Sequence, residues 1–356
     1  MPVFNVESKK KVASAPVRLV RTASSGDWVV ADSDMSSVWI RKPGQAAFSS
    51  LVKAGWRVTP GDTSEIVVTN CSRVYLPSIA PAAGGVVVCM KLGVKEVEDS
   101  GVPFDKCNWG MYLVAFSKDG STRWHGRYPI HKGNAQVIND PNDSATVLLI
   151  ASTGIAWRIK VSDGAITQKF HVPMGASGEK NKARCGAVIQ TAFVGYTGHP
   201  SAVCRVGRDA SAIPVASKPP LNGIGDDMTY CDIMSAWGQP YGLWFVLVHE
   251  GRLRYNFVGP KAKVAKWPST KPADGGGADK EARFAPSLFQ IPNARKTIGV
   301  AFKDDGKVQV QCLSDSASRE AVDVGAWPTA ALGSDGKIRV LYFKGNELWE
   351  ASVSCV

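Results

Sequence analysis

Tryptophan is the residue type in this chain best equipped to meet a ligand, and there are eleven. Trp28, Trp109, Trp237 and Trp327 each stand shortly before an apolar, strand-sized run, at Val30, Ala115, Val246 and Ala331. A flat indole with one N–H donor suits the C–H face of a pyranose, so a ring repeated at one structural position is a candidate sugar platform. The same ring fills a gap between packed strands equally well, and the variable Trp-to-run offsets favour packing. Charge offers a second chemistry. The formal net charge is +11 and the sequence pI is near 9.2. Lys9, Lys10, Lys11, Arg18 and Arg21 make a basic N-terminal segment, and Lys261, Lys263 and Lys266 fall in a Pro/Gly-rich stretch. Such segments attract an acidic surface, whether a protein neighbour, an anionic glycan or nucleic acid, with nucleic acid the least favoured.

Catalytic and metal chemistry finds little support. The five histidines form no H-E-x-x-H, and no G-x-S-x-G or G-x-x-x-x-G-K-[ST] phrase occurs. Gly225-Asp226-Asp227, with Asp232, offers clustered carboxylates, but a solvated acidic loop explains them at lower cost. The eight cysteines are spread singly with no C-x-x-C, so zinc is not expected, and they read as buried thiols or, alternatively, disulfides. No catalytic residue, metal site or cofactor is assigned, and the function is expected to be non-enzymatic.

The elements that must position these side chains recur along the chain. An apolar residue, a turn residue five positions on and a ring or branched residue four beyond give Ala115–Gly120–Trp124, Val246–Gly251–Tyr255 and Ala301–Gly306–Val310. Leu149–Gly154–Arg158 runs into Ile159–Gly164–Gln168, and Ala331–Gly336–Val340 runs into Val340–Gly345–Trp349. Weaker copies are Val30–Met35–Trp39, Trp39–Gly44–Phe48, Ile66–Cys71–Tyr75 and Phe193–Gly198–Ala202. Asp-Gly fills the turn at 119–120, 163–164, 305–306 and 335–336, and glycine there supplies the positive φ that tight hairpins need. First turn positions at 35, 71, 120, 154, 198, 251, 306 and 336 give a step of about 43 residues, the size of a four-stranded unit. No helical periodicity is sustained over three turns, and no run approaches the length of a spanning helix. The opening MPVFNVESKKKVASAPVRL lacks the apolar core of a signal peptide, which implies a cytoplasmic or virion location.

AFSKDGSTRW at 115–124 resembles the repeat of quinone-type β-propellers, in which Ala, Gly and Trp keep that spacing. AALGSDGKIRVLYFKGNELWEASV at 330–353 is similar to such blades and to those of propeller lectins. Gln168, Val310 and Val340 stand where the quinone-type repeat places Trp. The resemblance implies an all-β chain: a basic N-terminal arm over 1–25, then a single β-propeller over 26–356 with about seven four-stranded antiparallel blades. Closure of the ring is expected from a strand at Val17–Val20 or Trp28–Ala31 pairing with the blade that carries Leu341 to Val353. Trp124, Tyr255 and Trp349 are read as inter-blade packing. The expected function is a scaffold presenting loops to a macromolecular partner, for instance in a large assembly such as a virus or phage particle. The alternatives are a lectin with Trp-lined inter-blade pockets and a propeller enzyme drawing groups from separate blades.

Overall fold

The computed structural model describes residues 2–13, 19–22, 27–33, 37–54, 66–68, 73–93, 110–128, 135–140, 143–151, 155–171, 182–188, 191–197, 203–206, 212–216, 231–236, 242–249, 251–258, 273–277, 286–292, 298–313 and 315–356. Among these residues lie 29 strands in seven sheets, and no helix. After β1 (Phe4–Ala13), blade 1 holds β2 (Leu19–Thr22), β3 (Val29–Ser33), β4 (Ser37–Arg41), β5 (Ser49–Ala54) and β6 (Ile66–Val68). Blade 2 follows with β7 (Arg73–Ala82), β8 (Gly85–Gly93), β9 (Gly110–Ser117) and β10 (Thr122–Tyr128). Blade 3 is β11 (Ala135–Asn139), β12 (Thr146–Ala151), β13 (Ile155–Lys160) and β14 (Ile166–His171). Blade 4 is β15 (Lys182–Val188), β16 (Thr191–Thr197), β17 (Val203–Val206) and β18 (Ala212–Ala216). Blade 5 is β19 (Cys231–Ala236), β20 (Gly242–His249), β21 (Arg252–Val258) and β22 (Ala273–Gly277). Blade 6 is β23 (Ser287–Gln290), β24 (Ile298–Asp304), β25 (Lys307–Cys312) and β26 (Asp315–Val324). Blade 7 takes β27 (Ala326–Leu332), β28 (Ile338–Lys344) and β29 (Glu347–Cys355), with β1 as its fourth strand.

Within each blade the strands follow one another outward, and the first strand of each blade runs beside the first strand of the next, from β2 through β7, β11, β15, β19 and β23 to β27 and back to β2. This ring of meander sheets is a β-propeller. Where side chains are described, the second strands are buried on both faces, which is why they read as near-continuous apolar runs. In β8, Val86, Val88, Met90 and Leu92 pack with blade 1 while Val87 and Cys89 pack with blade 3. In β28, Ile338, Val340 and Tyr342 face blade 6, and Leu341 and Phe343 face blade 1. Each fully buried aliphatic contributes roughly 1.5–3 kcal/mol, so these two-sided strands supply most of the driving force.

In three of the repeated units the first and last residues face each other directly. Ala115 lies opposite Trp124, Val246 opposite Tyr255 and Ala301 opposite Val310. The turn carboxylates cap their own loops: Asp119 accepts from the Ser121 N–H at 3.0 Å, Asp163 from the Ala165 N–H at 2.9 Å and Asp335 from the Lys337 N–H at 3.1 Å. Trp124 is a packing residue. Its Nε1–H donates to the Val161 carbonyl of blade 3 at 2.7 Å, and the neighbouring Tyr128 hydroxyl donates to the Gly164 carbonyl at 2.5 Å.

Two expectations need correction. The strand that closes the ring is Phe4–Ala13, paired antiparallel with β29 from Phe4↔Cys355 to Ala13↔Leu348, and not Val17–Val20 or Trp28–Ala31. Its charged sequence disguised it, because an outermost strand buries little: Phe4 packs edge-on against Phe289, and Glu7 to Lys11 stay exposed. Leu19–Thr22 and Val29–Ser33 instead form the two inner strands of blade 1. Ile66–Cys71–Tyr75 is not a hairpin, since Ile66–Val68 pairs parallel with β5 as a fifth strand of blade 1 while Tyr75 lies in blade 2.

Candidate functional site

In an outward meander, the links between blades and the second-to-third-strand loops lie on one side of the disc, here termed the connector face. The first-to-second and third-to-fourth loops lie on the other. At the junction of blades 6 and 7 the link is short. The Gly325 N–H donates to the Gly306 carbonyl at 3.2 Å, and a Cβ on Gly325 would meet the Tyr342 ring at 2.7 Å. Only a residue without a side chain lets the chain cross the top of blade 7 this closely.

Trp327 follows two residues later, inside a register shift of β27. Its φ is +55°, directly before Pro328. A bulky residue at positive φ is a genuine outlier whose cost is about 1–3 kcal/mol. The side chain does not recover that cost by full burial, for it remains 37% exposed, with its ring edge-on to Phe343 at 5.7 Å between centroids. Val324, just before the link, is 57% exposed. Strained backbone therefore holds a large apolar ring at the connector face beside a second exposed apolar residue.

A charged rim adjoins it. The Tyr342 hydroxyl donates to Asp323 Oδ2 at 2.9 Å, and Lys344 Nζ stands 3.6 Å from Asp323 Oδ1. Burial, then the Asp323 carboxylate, pushes the Tyr342 hydroxyl up. Partial burial opposes the charge on Asp323, yet the Tyr342 hydroxyl, the Val324 N–H and the fields of Lys9 and Lys344 hold it below the ordinary range. Lys344 Nζ also lies 5.3 Å from the centre of the Trp349 ring, and the Trp349 Nε1–H donates to Glu347 at 3.2 Å. Lys11 pairs with Glu347 at 2.5 Å. On the opposite side of the sheet, Lys10 stands 3.4 Å from Glu350, whose carboxylate also takes the buried Arg41 of blade 1.

The other sequence candidates separate. Trp28 is a core residue, 5% exposed and 5.7 Å from the Phe116 ring, and it fills the gap between blades 1 and 2. Trp109, Trp237, Arg18, Lys261, Lys263, Lys266 and the Asp226/Asp227 pair lie outside the described residues. Arg21 sits in β2 opposite Val30, and Asp232 in β19 opposite Val246. His125 Nδ1 shares a hydrogen bond with the Tyr112 hydroxyl, which burial pushes up to about 12. Among the described residues no cluster of three or more His, Cys, Asp or Glu could hold a metal, and no helix is long and apolar enough to cross a membrane.

Sequence reasoning missed two devices. Arg41 and Glu350 join blade 1 to blade 7 as a buried pair, and nothing local marks residues 309 positions apart as partners. Ser78 Oγ accepts the Val137 N–H at 3.1 Å, and Ser287 Oγ accepts the Ala330 N–H at 3.0 Å, each hydroxyl latching an inner strand to the next blade. A signal for the second was present: Pro77-Ser78 and Pro286-Ser287.

No protein-family model matches the sequence, and no curated protein matches it. Solved structures do. The chain is similar to the β-propeller domain of Cps50 (Swd1) from Myceliophteria thermophila, with 6% identity over 96% of this chain and 99% of that one, at a TM-score of 0.51. It is likewise similar to the WD40 repeats of RRP9, with 9% identity over 98% of this chain and 99% of that one, at a TM-score of 0.59. At such identities the likeness establishes the fold.

Proposed function

We propose that this chain is a non-enzymatic protein-interaction propeller whose connector face, centred on Trp327, receives a protein partner. One observation carries the reading: an exposed indole is held at φ +55° before Pro328, where the fold alone would favour glycine. Large aromatics that are rigidly presented and part-exposed are the residues that anchor protein interfaces. Val324 extends the apolar surface, and Asp323 and Lys344 give it a polar rim. The likeness to WD40 propellers is consistent with this use but does not identify a partner. Membership of a large assembly, a virus or phage particle included, is one form of the same reading. A lectin role is not favoured, because Trp28 breaks the repeated ring on which it depended.

The test is quantitative co-purification from the native source with tagged wild type and Trp327→Ala. A partner held in fixed stoichiometry by wild type should be lost from the variant at unchanged melting temperature. Partners retained in full by Trp327→Ala refute the assignment of this face, and a glycan-array signal from the wild type would revive the lectin.

A further inference from the structure

The outer edge of blade 7 offers a second surface, separate from Trp327. β1 is an edge strand, hydrogen-bonded to β29 on one side only among the described residues. It is ten residues long and contains no proline. Glu7 through Lys11 are exposed along it. Consecutive strand residues point to opposite faces, and the contacts agree. Lys11 reaches Glu347 and Lys9 lies in the field of Asp323 on the blade 6 side, while Lys10 reaches Glu350 on the blade 1 side. A strand laid along this edge would meet cations both above and below its plane.

Lysine on an edge strand normally discourages pairing, but the discouragement depends on the incoming charge. A second copy of β1 would set lysine against lysine. An extended segment with Asp or Glu at the facing positions would instead make opposite-charge cross-strand pairs, which are favourable. The present partners do not forbid this, since Lys11 and Glu347 are 45% and 47% exposed and such pairs exchange at little cost. Two other outer edges are less suited. β5 is already covered by β6, and Arg123 on β10 is engaged with the Ala83 and Gly84 carbonyls and with Ser117 Oγ. We infer that blade 7 accepts an acidic, extended segment of a partner protein as an additional outer strand along β1.

The experiment uses the full chain and a fluorescein-labelled synthetic peptide of alternating Glu and Thr, about eight residues long to match an ordinary strand. A Lys/Thr peptide is the counterpart. Anisotropy should show the Glu peptide binding at least about tenfold more tightly than the Lys peptide, and weakening as salt rises from about 0.05 to 0.5 M. Hydrogen exchange should slow across Phe4–Ala13 when the Glu peptide is bound. Lys9→Glu/Lys11→Glu should lower its affinity at least about tenfold, since both cross-strand pairs turn repulsive, whereas Trp327→Ala should leave it unchanged. Should charge reversal lower the melting temperature, Lys9→Gln/Lys11→Gln decides, with a smaller but definite loss expected. Equal binding of the two peptides, or tight binding with unchanged exchange across Phe4–Ala13, overturns the proposal. Loss of binding in Trp327→Ala would overturn it too, by moving the site to the connector face.

Discussion

Glu350→Gln tests how the ring is held shut. The Glu350 carboxylate joins β29 of blade 7 to Arg41 on β4 of blade 1, with side-chain exposures of 4% and 7%. Removing one partner of a buried pair leaves the other charge without compensation, at a cost of about 3–5 kcal/mol. Unfolding entropy scales at about 2.1 cal/mol/K per residue, or roughly 0.75 kcal/mol/K over the 356 residues here, so Tm should fall by about 4–7 °C. Arg41→Met alone should cost a similar amount by stranding the carboxylate, with Lys10 at 3.4 Å offsetting a little of it. The double variant Arg41→Met/Glu350→Gln removes both charges and should be less destabilised than the sum of the singles by at least about 1.5 kcal/mol, as expected for groups in direct contact. Calorimetry and urea midpoints on the four proteins complete the cycle, and hydrogen exchange should show β1 and β29 loosening first in the single variants. A Glu350→Gln shift under about 1 °C, or strictly additive effects, would refute the reasoning, because it would mean that water already compensates the pair.

Trp327→Gly should be more stable than Trp327→Ala by about 1 kcal/mol, because both lose the ring but only glycine tolerates φ +55° freely; equal urea midpoints would dismiss backbone strain at this site. Gly164 has φ +76° and lies where a Cβ would meet Trp124 Cε3 and the Tyr128 hydroxyl at 2.9 Å each, so Gly164→Ala should cost about 2–4 kcal/mol in denaturant melts. Backbone N–H donors, Ser121 for Asp119 and Ala165 for Asp163, are the largest cause holding these two carboxyls below the usual range. A depressed folded-state pKa means that their stabilisation is complete above the unfolded value near 3.9 and is lost as pH falls through the lower folded value. Asp163→Asn should accordingly flatten the stability-versus-pH curve below about pH 4, and an unchanged slope would count against the turn-capping account. Burial raises the Cys89 thiol far above its ordinary pKa, so iodoacetamide at mildly alkaline pH should leave it unmodified in the native protein and label it after unfolding; rapid native labelling would contradict the packing of blades 2 and 3.

The proposed partner surface was legible only in part. Lys9 to Lys11 were visible as a basic cluster, and their charge does face a rim of carboxylates, but no local pattern marked them as riding on a strand. A strand at the outside of a sheet needs few apolar residues, so hydropathy cannot separate it from a disordered arm. Trp28 and Trp327 make the same point: both precede an apolar run by a few residues. One is sealed against Phe116 and the other lies at the surface beside Phe343, because blade stacking covers one position and a one-residue link between blades lifts the other out.

What the amino acids dictated by themselves was local: hairpins closed at Asp-Gly, directly opposed pairs such as Ala301 with Val310, and runs apolar on both faces that must be covered on both. These follow from turn sterics and side-chain alternation within about ten residues of chain, and they were enough to imply a ring of small sheets. Only the tertiary structure decided which strand completes blade 7, that Arg41 meets Glu350, and which indole reaches solvent. Those outcomes depend on residues hundreds of positions apart being brought together when the ring closes, and no local pattern encodes that meeting.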